Sequence, residues 1–441
     1  MHTRAVKKQK INVVTLGCSK NVVDSEYLLK QVESNNLSVQ HNDESFEAKT
    51  VIINTCGFIK DAKQESVDTI LRYVNAKEKG LIEQVYVMGC LSERYKKDLE
   101  KEIPEIDKYF GVNDLELIIK HLGLNYKHTL LGERKLTTPG HYAYLKVSEG
   151  CDRKCSFCAI PLIRGRHTSK PMDRLIGEAQ NLASLGVREM ILIAQDLTSY
   201  GLDIYKSQAL PELMKWLSDI HGIEWIRLHY AYPANFPREV IQVMKERGNI
   251  YRYLDIPFQH NSDPVLQKMR RGHNQHSNHA LISFIRNEIP DITLRTTVMT
   301  GHPGETEKEF NELCHFVERF EFDRLGIFTY SEEEGTWGAR HLKDSIPEKV
   351  KKERADILMN LQQLISKKLN VNKIGSLFKV LIDGREGEYY IGRTVADSPE
   401  VDNEVLIPVT GMPLETGSFY QTRITSAEDF DLYGEAVTKL S

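Results

Sequence analysis

A chain of 441 residues is long enough for about three domains, each able to bury its own core, so a disulfide-stapled miniature is excluded. With 41% hydrophobic and 27% charged residues, the composition is that of an ordinary globular protein rather than a disordered or collagen-like chain. The formal net charge of −4, from 58 basic and 62 acidic residues, excludes a global cationic field for nucleic acid, so any RNA contact would be local.

The apolar runs and the cysteine count indicate the cellular setting. The longest apolar runs fall well short of the roughly 18 residues that a membrane span requires. The basic amino terminus is followed only by a strand-length apolar run, which is too short for a signal peptide. We therefore expect a cytoplasmic protein in which seven cysteines, an odd number, serve metal or redox chemistry rather than disulfides.

The first predicted elements alternate short β-branched runs with amphipathic helical stretches between residues 11 and about 114. The three runs are INVVTL, TVIINT and QVYVMG. This alternation predicts βαβ units on a parallel sheet, and therefore an α/β domain. The pattern ends in a segment of charged, Thr, Pro and Gly residues at 133–140, which predicts a linker and a first domain covering residues 1–135.

A second series of strand-like runs follows, with helical segments between most of them. The runs are YAYLKV, EMILIA, WIRLHY, YRYLDI, ITLRTTVM and RLGIFTY, between residues 142 and 330. About six such units predict a partial (βα)6 barrel. A helix predicted at residues 347–370, with Pro in its first turn, ends this domain, for which we predict the bounds 136–370.

The last part of the chain predicts a small antiparallel β-barrel over residues 371–441. Four alternating runs, LFKVLID, YYIGRTVA, NEVLIPV and SFYQTRITSA, are separated by Gly, Asp and Pro at intervals of about ten. This tail has six basic and twelve acidic residues, and therefore a charge of −6. Such a charge repels RNA and favours a basic protein as partner, unless the acidic residues only solvate the surface.

Cys151, Cys155 and Cys158 form the cluster CDRKCSFC directly after a strand-like run and Gly150. Three thiolates within eight residues can bind three corners of one metal centre. Tetrahedral zinc usually takes paired C-x2-C hooks, and no matching second pair of ligands occurs nearby. An iron–sulfur cluster with three protein ligands instead leaves one iron open for a substrate or cofactor, and we predict this arrangement over three buried or zinc-binding thiols.

Cys18, Cys56 and Cys90 each follow one of the first three strand-like runs, with separations of 38 and 34 residues. In an open parallel sheet all such positions lie at the carboxyl edge, where ligands bind. We therefore predict a second three-cysteine cluster, the alternative being three isolated buried cysteines. Cys314 lies on the apolar stripe of a predicted helix and is expected to belong to the core.

The CDRKCSFC segment resembles the radical S-adenosylmethionine superfamily, and the whole chain resembles the methylthiotransferase family, most closely its RimO branch. In the superfamily the three cysteines hold a 4Fe-4S cluster whose open iron chelates the amino and carboxylate groups of S-adenosyl-L-methionine. Phe157 takes the place of an aromatic residue beside the adenine. The tail resembles the family's TRAM domain, and His302 departs from a Phe that is common there. The phrases that carry the resemblance are GCSKNVVDSE, NTCGFI, GCLSERY, SEGCDRKCSFCAIP, AQDLTSYG, LDIPFQH, GHPGET and YSEEEGT.

The resemblance implies an enzyme that adds a methylthio group to the β-carbon of an aspartate in small-subunit ribosomal protein S-twelve. It implies two 4Fe-4S clusters: the one at Cys151, Cys155 and Cys158 supplies an electron that releases a 5′-deoxyadenosyl radical from the cofactor. The cluster at the first three cysteines carries the sulfur that is methylated and transferred. An electron donor is required, and neither a membrane nor direct tRNA binding is expected.

Four residues at the carboxyl ends of barrel strands are the candidate cofactor contacts. Gln195 and Asp196 are candidates for the ribose or amino group, and Arg295, with Thr297 beside it, for the methionine carboxylate. Each of these residues could equally cap a helix or hold a loop. His260 is expected to be a packed or loop histidine, because both clusters already have three thiols.

Two other functions remain open at this point. The same chemistry on another substrate gives a tRNA adenosine methylthiotransferase, similar to MiaB. A different class is a non-catalytic iron–sulfur carrier or assembly factor. Reductive cleavage of S-adenosylmethionine separates this last class, because a carrier releases no 5′-deoxyadenosine.

Overall fold

The computed structural model describes residues 10–440, which form two compact units. The first unit comprises the chain up to Thr138 together with Tyr144–Asp152 and Ala159–Asn181, and the second comprises Pro139–Ala143, Arg153–Cys158 and the chain from Leu182. The amino terminus for which no signal peptide is predicted lies almost wholly outside the described residues. The three-domain division with boundaries after residues 135 and 370 stays a prediction.

A five-stranded parallel sheet forms the centre of the first unit, in the order β2-β1-β3-β4-β5. Its strands are β1 (Lys10–Thr15), β2 (Ser38–His41), β3 (Thr50–Thr55), β4 (Gln84–Gly89) and β5 (Lys108–Tyr109). The helices are α1 (Ser19–Glu33), α2 (Lys60–Glu78), α3 (Cys90–Glu102) and α4 (Leu115–His121). The predicted α/β domain with a parallel sheet is confirmed.

The apolar runs of this sheet are continuous because both of its faces are covered. Val51 and Ile53 of β3 pack into one hydrophobic cluster, whereas Ile52 between them packs into the cluster on the other face. Neighbouring side chains of a strand point to opposite faces, so a strand that is buried on both sides needs an unbroken apolar sequence.

Residues 139–184 contribute segments to both units. The elements within these residues are β6 (Tyr142–Lys146), β7 (Ser148–Glu149), α5 (Ile160–Ile163), β8 (Thr168–Ser169) and α6 (Met172–Ser184). Strands β7 and β8 pair antiparallel and belong to the first unit.

An open six-stranded sheet follows in the order β13-β12-β11-β10-β9-β6, in which the pairings from β9 to β13 are parallel. Strands β9 to β13 belong to the second unit, to which β6 contributes only its first two residues. The further strands are β9 (Glu189–Ile193), β10 (Trp225–Leu228), β11 (Ile250–Asp255), β12 (Thr293–Thr300) and β13 (Arg324–Thr329). The helices are α7 (Leu210–Ser218), α8 (Glu239–Glu246), α9 (Asp263–Met269), α10 (Gln275–Glu288), α11 (Glu307–Phe320), α12 (Trp337–His341) and α13 (Glu348–Val371). The six predicted strands are confirmed.

A closed five-stranded barrel in the order β14-β15-β16-β18-β17 ends the described chain. Its strands are β14 (Leu377–Glu386), β15 (Tyr389–Arg393), β16 (Val405–Pro408), β17 (Phe419–Ala427) and β18 (Leu432–Lys439). The predicted barrel is confirmed, but it is not wholly antiparallel, because β16 and β18 pair parallel. The sequence predicts four of these strands but not β18. A closed barrel with an odd number of strands must contain at least one parallel pair.

Residues 394–403, in the connection between β15 and β16, contact residues of β10, β11, β12 and β13 in the six-stranded sheet, and we call them the plug segment. Asp397 pairs with Arg324, the first residue of β13. Asp402 accepts hydrogen bonds from Tyr253 Oη at 2.6 Å and from Arg295 Nε at 3.2 Å. The plug segment therefore places two buried carboxylates beside arginines of the sheet.

No helix within residues 10–440 combines the length and the apolar character that crossing a membrane requires.

Candidate metal and cofactor centres

Cys18, Cys56 and Cys90 lie at the same edge of the parallel sheet in the first unit. Cys18 precedes α1, Cys56 directly follows β3, and Cys90 is the first residue of α3, directly after β4. Because β1, β3 and β4 are neighbouring parallel strands, their carboxyl ends bring the three connections together. Cys56 and Cys90 are buried, whereas Cys18 is exposed.

Glycines next to these cysteines allow the connections to touch. A Cβ atom on Gly17, which has a φ of +88°, would lie 2.7 Å from Cys56 Cβ and 3.0 Å from Cys56 Sγ. A Cβ atom on Gly57 would lie 2.7 Å from the backbone nitrogen of Leu91. Any other residue at these two positions would force the connections apart. The structure therefore brings the three predicted thiols to one small region.

Burial keeps two of these thiols protonated when no metal is bound. Burial, helped by the neighbouring Cys18 and Cys90, raises the pKa of Cys56 to about 11. Burial also raises the pKa of Cys90, which the Arg164 guanidinium opposes. Because metals bind the thiolate form, metal binding at these cysteines must release protons.

A buried arginine connects Cys90 with the start of α1. Arg164 Nη2 donates to Asn21 Oδ1 at 2.5 Å, and its Nη1 donates to Asp24 Oδ2 at 2.7 Å. The same Asn21 oxygen lies 3.7 Å from Cys90 Sγ. Arg164 also forms a hydrogen bond with the Cys90 side chain. The segment that follows Cys158 is therefore fixed to both the first and the third cysteine connection.

The charge of Arg164 is balanced by its neighbours. Its Nη1 also donates to Glu149 Oε2 at 3.2 Å, and Lys146 Nζ donates to the same Glu149 oxygen at 2.6 Å and to Asp24. Two cations thus face two carboxylates in a largely buried network. Because Glu149 precedes Cys151, the network holds both flanks of the CDRKCSFC segment in the first unit.

The turn between Cys155 and Cys158 is fixed by backbone hydrogen bonds. The nitrogen of Cys158 donates to the Cys155 carbonyl at 3.2 Å, and the nitrogen of Ser156 donates to the Met269 carbonyl at 2.9 Å. The Ser156 carbonyl accepts from the Gly338 nitrogen at 2.7 Å. Cys151 belongs to the first unit, where its nitrogen donates to the Gly165 carbonyl at 3.1 Å.

His302, the departure from the family phrase, packs against this turn. Its Nε2 lies 3.2 Å from Ser156 Oγ, and its ring stands at 80° to that of Phe157, with the ring centres 6.2 Å apart. Burial lowers the pKa of His302 to about 3. The imidazole is therefore neutral near pH 7 and adds a hydrogen bond that a Phe at this position cannot form.

Two arginines and a tyrosine surround Cys155 in the second unit. Arg271 Nη1 lies 3.5 Å from Cys155 Sγ, and Tyr232 Oη lies 3.9 Å from the same sulfur. The guanidinium carbons of Arg153 and Arg271 lie 4.1 Å and 4.3 Å from the centre of the Tyr232 ring. Cation–π contact with one ring therefore holds both charges near Cys155.

The predicted cofactor contacts all lie in the second unit. Gln195 is half-buried and lies two residues after the end of β9. Asp196 is buried and caps the short 3₁₀ turn at Leu197–Ser199, accepting from Thr198 N at 3.1 Å. It also accepts from Arg153 Nε at 2.7 Å. Asp196 therefore caps this turn, which was the alternative to cofactor binding. A contact between Asp196 and the cofactor stays a prediction.

Arg295 and Thr297 lie two residues apart on β12, and both are half-buried. Arg295 already pairs with Asp255 at 3.3 Å and with Asp402 of the plug segment at 3.2 Å. A methionine carboxylate at Arg295 would have to compete with these two carboxylates, so the predicted contact remains a hypothesis.

Two further residues are packed inside the second unit. His260 is buried as expected, with Nε2 3.2 Å from Glu305 Oε2 and Nδ1 accepting from the Ser262 nitrogen at 3.0 Å. Cys314 is only half-buried on α11, and its burial raises its pKa to about 11. Cys314 therefore lies at the border of the core rather than inside it.

The donor sets fit iron–sulfur clusters in their chemistry. All seven cysteines are free thiols. Within residues 10–440, no three His, Cys, Asp or Glu side chains converge closely enough for a single metal ion. A four-iron cluster is wider than one ion, and its thiolates bind different irons, so it does not require that convergence. The glycine contacts at Cys56 and the arginine at Cys155 are the features that suit such a group.

Sequence reasoning missed Arg164, Arg271 and Tyr232. Arg164 lies six residues after Cys158, so its place next to the motif is a usable signal. Arg271 is 116 residues from Cys155 and Tyr232 is 77 residues from it, and no periodicity relates such positions.

Three families match successive parts of the chain. Uncharacterized protein family UPF0004 matches residues 10–111, the Radical SAM superfamily matches residues 145–317, and the TRAM domain matches residues 374–437. The second and third matches agree with the predicted radical barrel and β tail.

Relatives match over nearly the full length. The chain is 54% identical over 437 residues to "Ribosomal protein uS12 methylthiotransferase RimO" of Cytophaga hutchinsonii, covering 99% of this chain and 100% of the relative. The protein of the same name from Bacteroides thetaiotaomicron is 54% identical over 434 residues, covering 98% and 100%.

Solved structures agree in fold. The radical S-adenosylmethionine methyltransferase TsrM from Kitasatospora setae superposes with a TM-score of 0.55 at 13% identity, covering 73% of each chain. The cobalamin-dependent S-adenosylmethionine radical enzyme OxsB gives a TM-score of 0.52 at 12% identity, covering 82% of this chain and 56% of its own. At these identities the likeness concerns the fold alone. Together with the full-length relatives and the matched domains, which imply S-adenosylmethionine and iron–sulfur clusters, it leads to one conclusion: the chain belongs to the RimO family of radical S-adenosylmethionine methylthiotransferases.

Proposed function

We propose that this chain adds a methylthio group to the β-carbon of an aspartate in ribosomal protein uS12. The observation that carries the proposal is the convergence of the Cys18, Cys56 and Cys90 connections at one sheet edge, in a chain that also contains the CDRKCSFC segment. The substrate follows from the uS12 methylthiotransferases of Cytophaga hutchinsonii and Bacteroides thetaiotaomicron, to which the chain is 54% identical over their whole length.

In this proposal each cysteine triplet would hold one 4Fe-4S cluster, and Cys151, Cys155 and Cys158 would hold the cluster that binds S-adenosyl-L-methionine. When bound, these groups supply radical chemistry that can break an unactivated C–H bond, which no protein acid or base can do. The Cys18, Cys56 and Cys90 site carries the sulfur. The proposed domains are residues 1–135 for this sulfur site, 136–370 for the radical site and 371–441 for the barrel that docks the substrate.

The side chains around Cys151, Cys155 and Cys158 bind and orient the cofactor. Phe157 offers a half-buried ring for the adenine, and His302 fixes the turn that carries this ring. Gln195 follows β9 at the edge where ligands of such sheets bind. Arg295 and Thr297 serve the methionine end of the cofactor, which requires Arg295 to exchange at least one of its present carboxylate partners.

The charge of the tail suits a basic ribosomal protein, but part of it is used internally. Among its twelve acidic residues, Asp397 and Asp402 are buried in ion pairs with arginines of the six-stranded sheet. The exposed remainder, which includes Glu386 and Glu388, supplies the steering toward uS12, free or within the ribosomal subunit. A one-electron donor completes the partners, the enzyme works in the cytoplasm with ribosomal substrate, and we propose no direct tRNA binding.

The test uses the full chain, reconstituted anaerobically with iron and sulfide. It is incubated with S-adenosylmethionine, dithionite and one of three substrates: free uS12, the small ribosomal subunit or tRNA. We expect mass spectrometry to find a methylthio group in place of one hydrogen on a uS12 aspartate. A product on tRNA adenosine instead would transfer the assignment to the tRNA-acting branch. A cluster-loaded chain that releases no 5′-deoxyadenosine would identify a carrier.

A further inference from the structure

Cys155 receives a hydrogen bond from a buried arginine that the proposed chemistry has not yet used. Arg271 is 6% exposed, and its Nη1 lies 3.5 Å from Cys155 Sγ, within the distance of an N–H···S hydrogen bond. A guanidinium only donates hydrogen bonds, so the sulfur is the acceptor. This geometry is independent of the hydrogen bonds that fix the backbone of the cysteine turn.

Four contacts hold Arg271 in this position. Its Nη2 donates to the Pro257 carbonyl, and its Nε donates to His273 Nε2 at 3.2 Å. Its backbone carbonyl accepts from Tyr232 Oη, and its guanidinium lies 4.3 Å from the centre of the Tyr232 ring. Tyr232 therefore fixes both the backbone and the side chain of Arg271.

All of these partners are neutral. Burial, together with the charge of Arg271, lowers the pKa of His273 to about 3, so the imidazole accepts the hydrogen bond without carrying charge near pH 7. The carbonyls of Pro257 and the ring of Tyr232 add no charge. The positive charge of Arg271 is thus not cancelled by the groups that orient it, and it is directed at the Cys155 sulfur.

We propose that Arg271, oriented by Tyr232, is a positioning residue that raises the reduction potential of the cluster held by Cys151, Cys155 and Cys158. The inference rests on the proposed function, because it requires a cluster at these cysteines. Reduction adds one electron from an external one-electron donor, and the added negative charge is stabilised by a nearby cation and by an N–H···S hydrogen bond. Arg271 therefore makes the cluster easier to reduce.

The experiment isolates this cluster in the full chain. A background variant with Cys18→Ala, Cys56→Ala and Cys90→Ala retains Cys151, Cys155 and Cys158 as its one cysteine triplet. The iron content of this variant is measured after anaerobic reconstitution. The midpoint potential is then determined by dithionite titration with redox mediators, monitored by the electron paramagnetic resonance of the reduced cluster. In this background we compare Arg271→Met, Arg271→Lys, Tyr232→Phe and Arg270→Met.

The expected order of potentials is specific to the proposal. Arg271→Met should shift the midpoint potential downward, and Arg271→Lys, which keeps the charge, should recover part of that shift. Arg270→Met is the matched control, because the adjacent Arg270 is exposed and stacks 4.9 Å from the Trp337 ring centre. Its potential should equal that of the background.

Equal potentials in Arg271→Met and Arg270→Met, at full iron content, would overturn the inference. If Arg271→Met loses its iron, Tyr232→Phe decides, since it keeps the ring but removes the hydrogen bond to the Arg271 carbonyl. A lowered potential in this variant supports the proposal, and an unchanged one refutes it. A background protein that holds no reducible cluster would instead refute the proposed function.

Discussion

An arginine stands beside a cysteine at both sites, but the two arginines have different partners. In the first unit, Arg164 near Cys90 pairs with Asp24 and Glu149 in a network that Lys146 completes. In the second unit, Arg271 near Cys155 contacts a carbonyl, a neutral imidazole and an aromatic ring. The first arrangement is electrically balanced and holds segments together, whereas the second directs a net positive charge at a sulfur. The partners of an arginine thus decide whether it acts on structure or on electrostatics.

The largest expected effect comes from removing either cysteine triplet. The reconstituted chain should hold about eight irons, as two four-iron clusters, and replacing Cys151, Cys155 and Cys158 by Ala should halve this number and abolish cleavage of S-adenosylmethionine. Replacing Cys18, Cys56 and Cys90 should halve the iron but retain reductive cleavage, while thiomethylation is lost. Iron analysis and chromatography of 5′-deoxyadenosine measure both. Cys314→Ala is the control and should keep all of the iron.

Two results would contradict this division of roles. The first is stoichiometric zinc in place of iron. The second is loss of cleavage in the Cys18, Cys56, Cys90 variant although the other cluster remains intact.

The next largest effect should be on stability, at Arg164. Arg164→Met leaves Asp24 and Glu149 facing Lys146 alone, and breaking a buried ion pair from one side costs about 3–5 kcal/mol of unfolding free energy. Urea unfolding of the metal-free chain measures the loss. The control is Arg166→Met, because the Arg166 side chain is 95% exposed. Equal stabilities of the two variants would show that the network is not structural.

A smaller effect is expected on the pH dependence of stability, at His273. Its folded pKa of about 3 lies below the ordinary value of 6.5, so the unfolded chain binds more protons between these two values. Stability should therefore fall by about 1.4 kcal/mol per pH unit as the pH drops below 6.5. In unfolding measured from pH 7 to pH 5, His273→Asn should reduce the slope by this amount and leave the part that comes from His302, whose pKa burial also lowers to about 3. The exposed His276→Asn serves as control, and a slope in His273→Asn equal to that of the unsubstituted chain would contradict the prediction.

The smallest expected effect tests the balance around Cys90. Glu149→Gln leaves the network of Arg164, Lys146 and Asp24 with one excess positive charge. This charge should raise the reduction potential of the cluster at Cys18, Cys56 and Cys90. The shift should be modest, because the Glu149 side chain is 19% exposed and partly screened by solvent. The shift is measured in a variant that lacks Cys151, Cys155 and Cys158. A shift as large as that of an Arg271 variant would show that the charge of Arg164 is not balanced by its carboxylate partners.

Sequence predicted the cysteine sites better than their surroundings. The unbroken apolar runs of β1, β3 and β4 identify parallel strands, and the carboxyl-edge rule then brings Cys18, Cys56 and Cys90 together without any knowledge of side-chain contacts. The contact between Arg271 and Cys155 could not be predicted, because hydrophobic periodicity identifies elements but not which side chains of distant elements meet.

The residues of β18 themselves explain why the sequence does not predict this strand. Only Leu432 and Gly434 of its eight residues are buried, and Val437 is exposed, so the apolar alternation that predicts a strand is weak here. Four strands can close a barrel with antiparallel pairs alone, whereas the fifth strand requires a parallel pair.

The plug segment has a consequence for how this chain is made. Arg227 Nη1 donates to the carbonyl of Val395, which lies 168 residues later in the sequence. Asp402 lies 107 residues after Arg295, and Asp397 lies 73 residues after Arg324. During synthesis, the six-stranded sheet therefore emerges from the ribosome before Asp397, the ion-pair partner of Arg324, and Asp402, the second partner of Arg295, have been translated. A product that stops after α13 would lack both carboxylates permanently, and an isolated tail would expose Asp397 and Asp402. The sheet therefore gains its full set of ion pairs only near the end of translation, when the plug segment has been made.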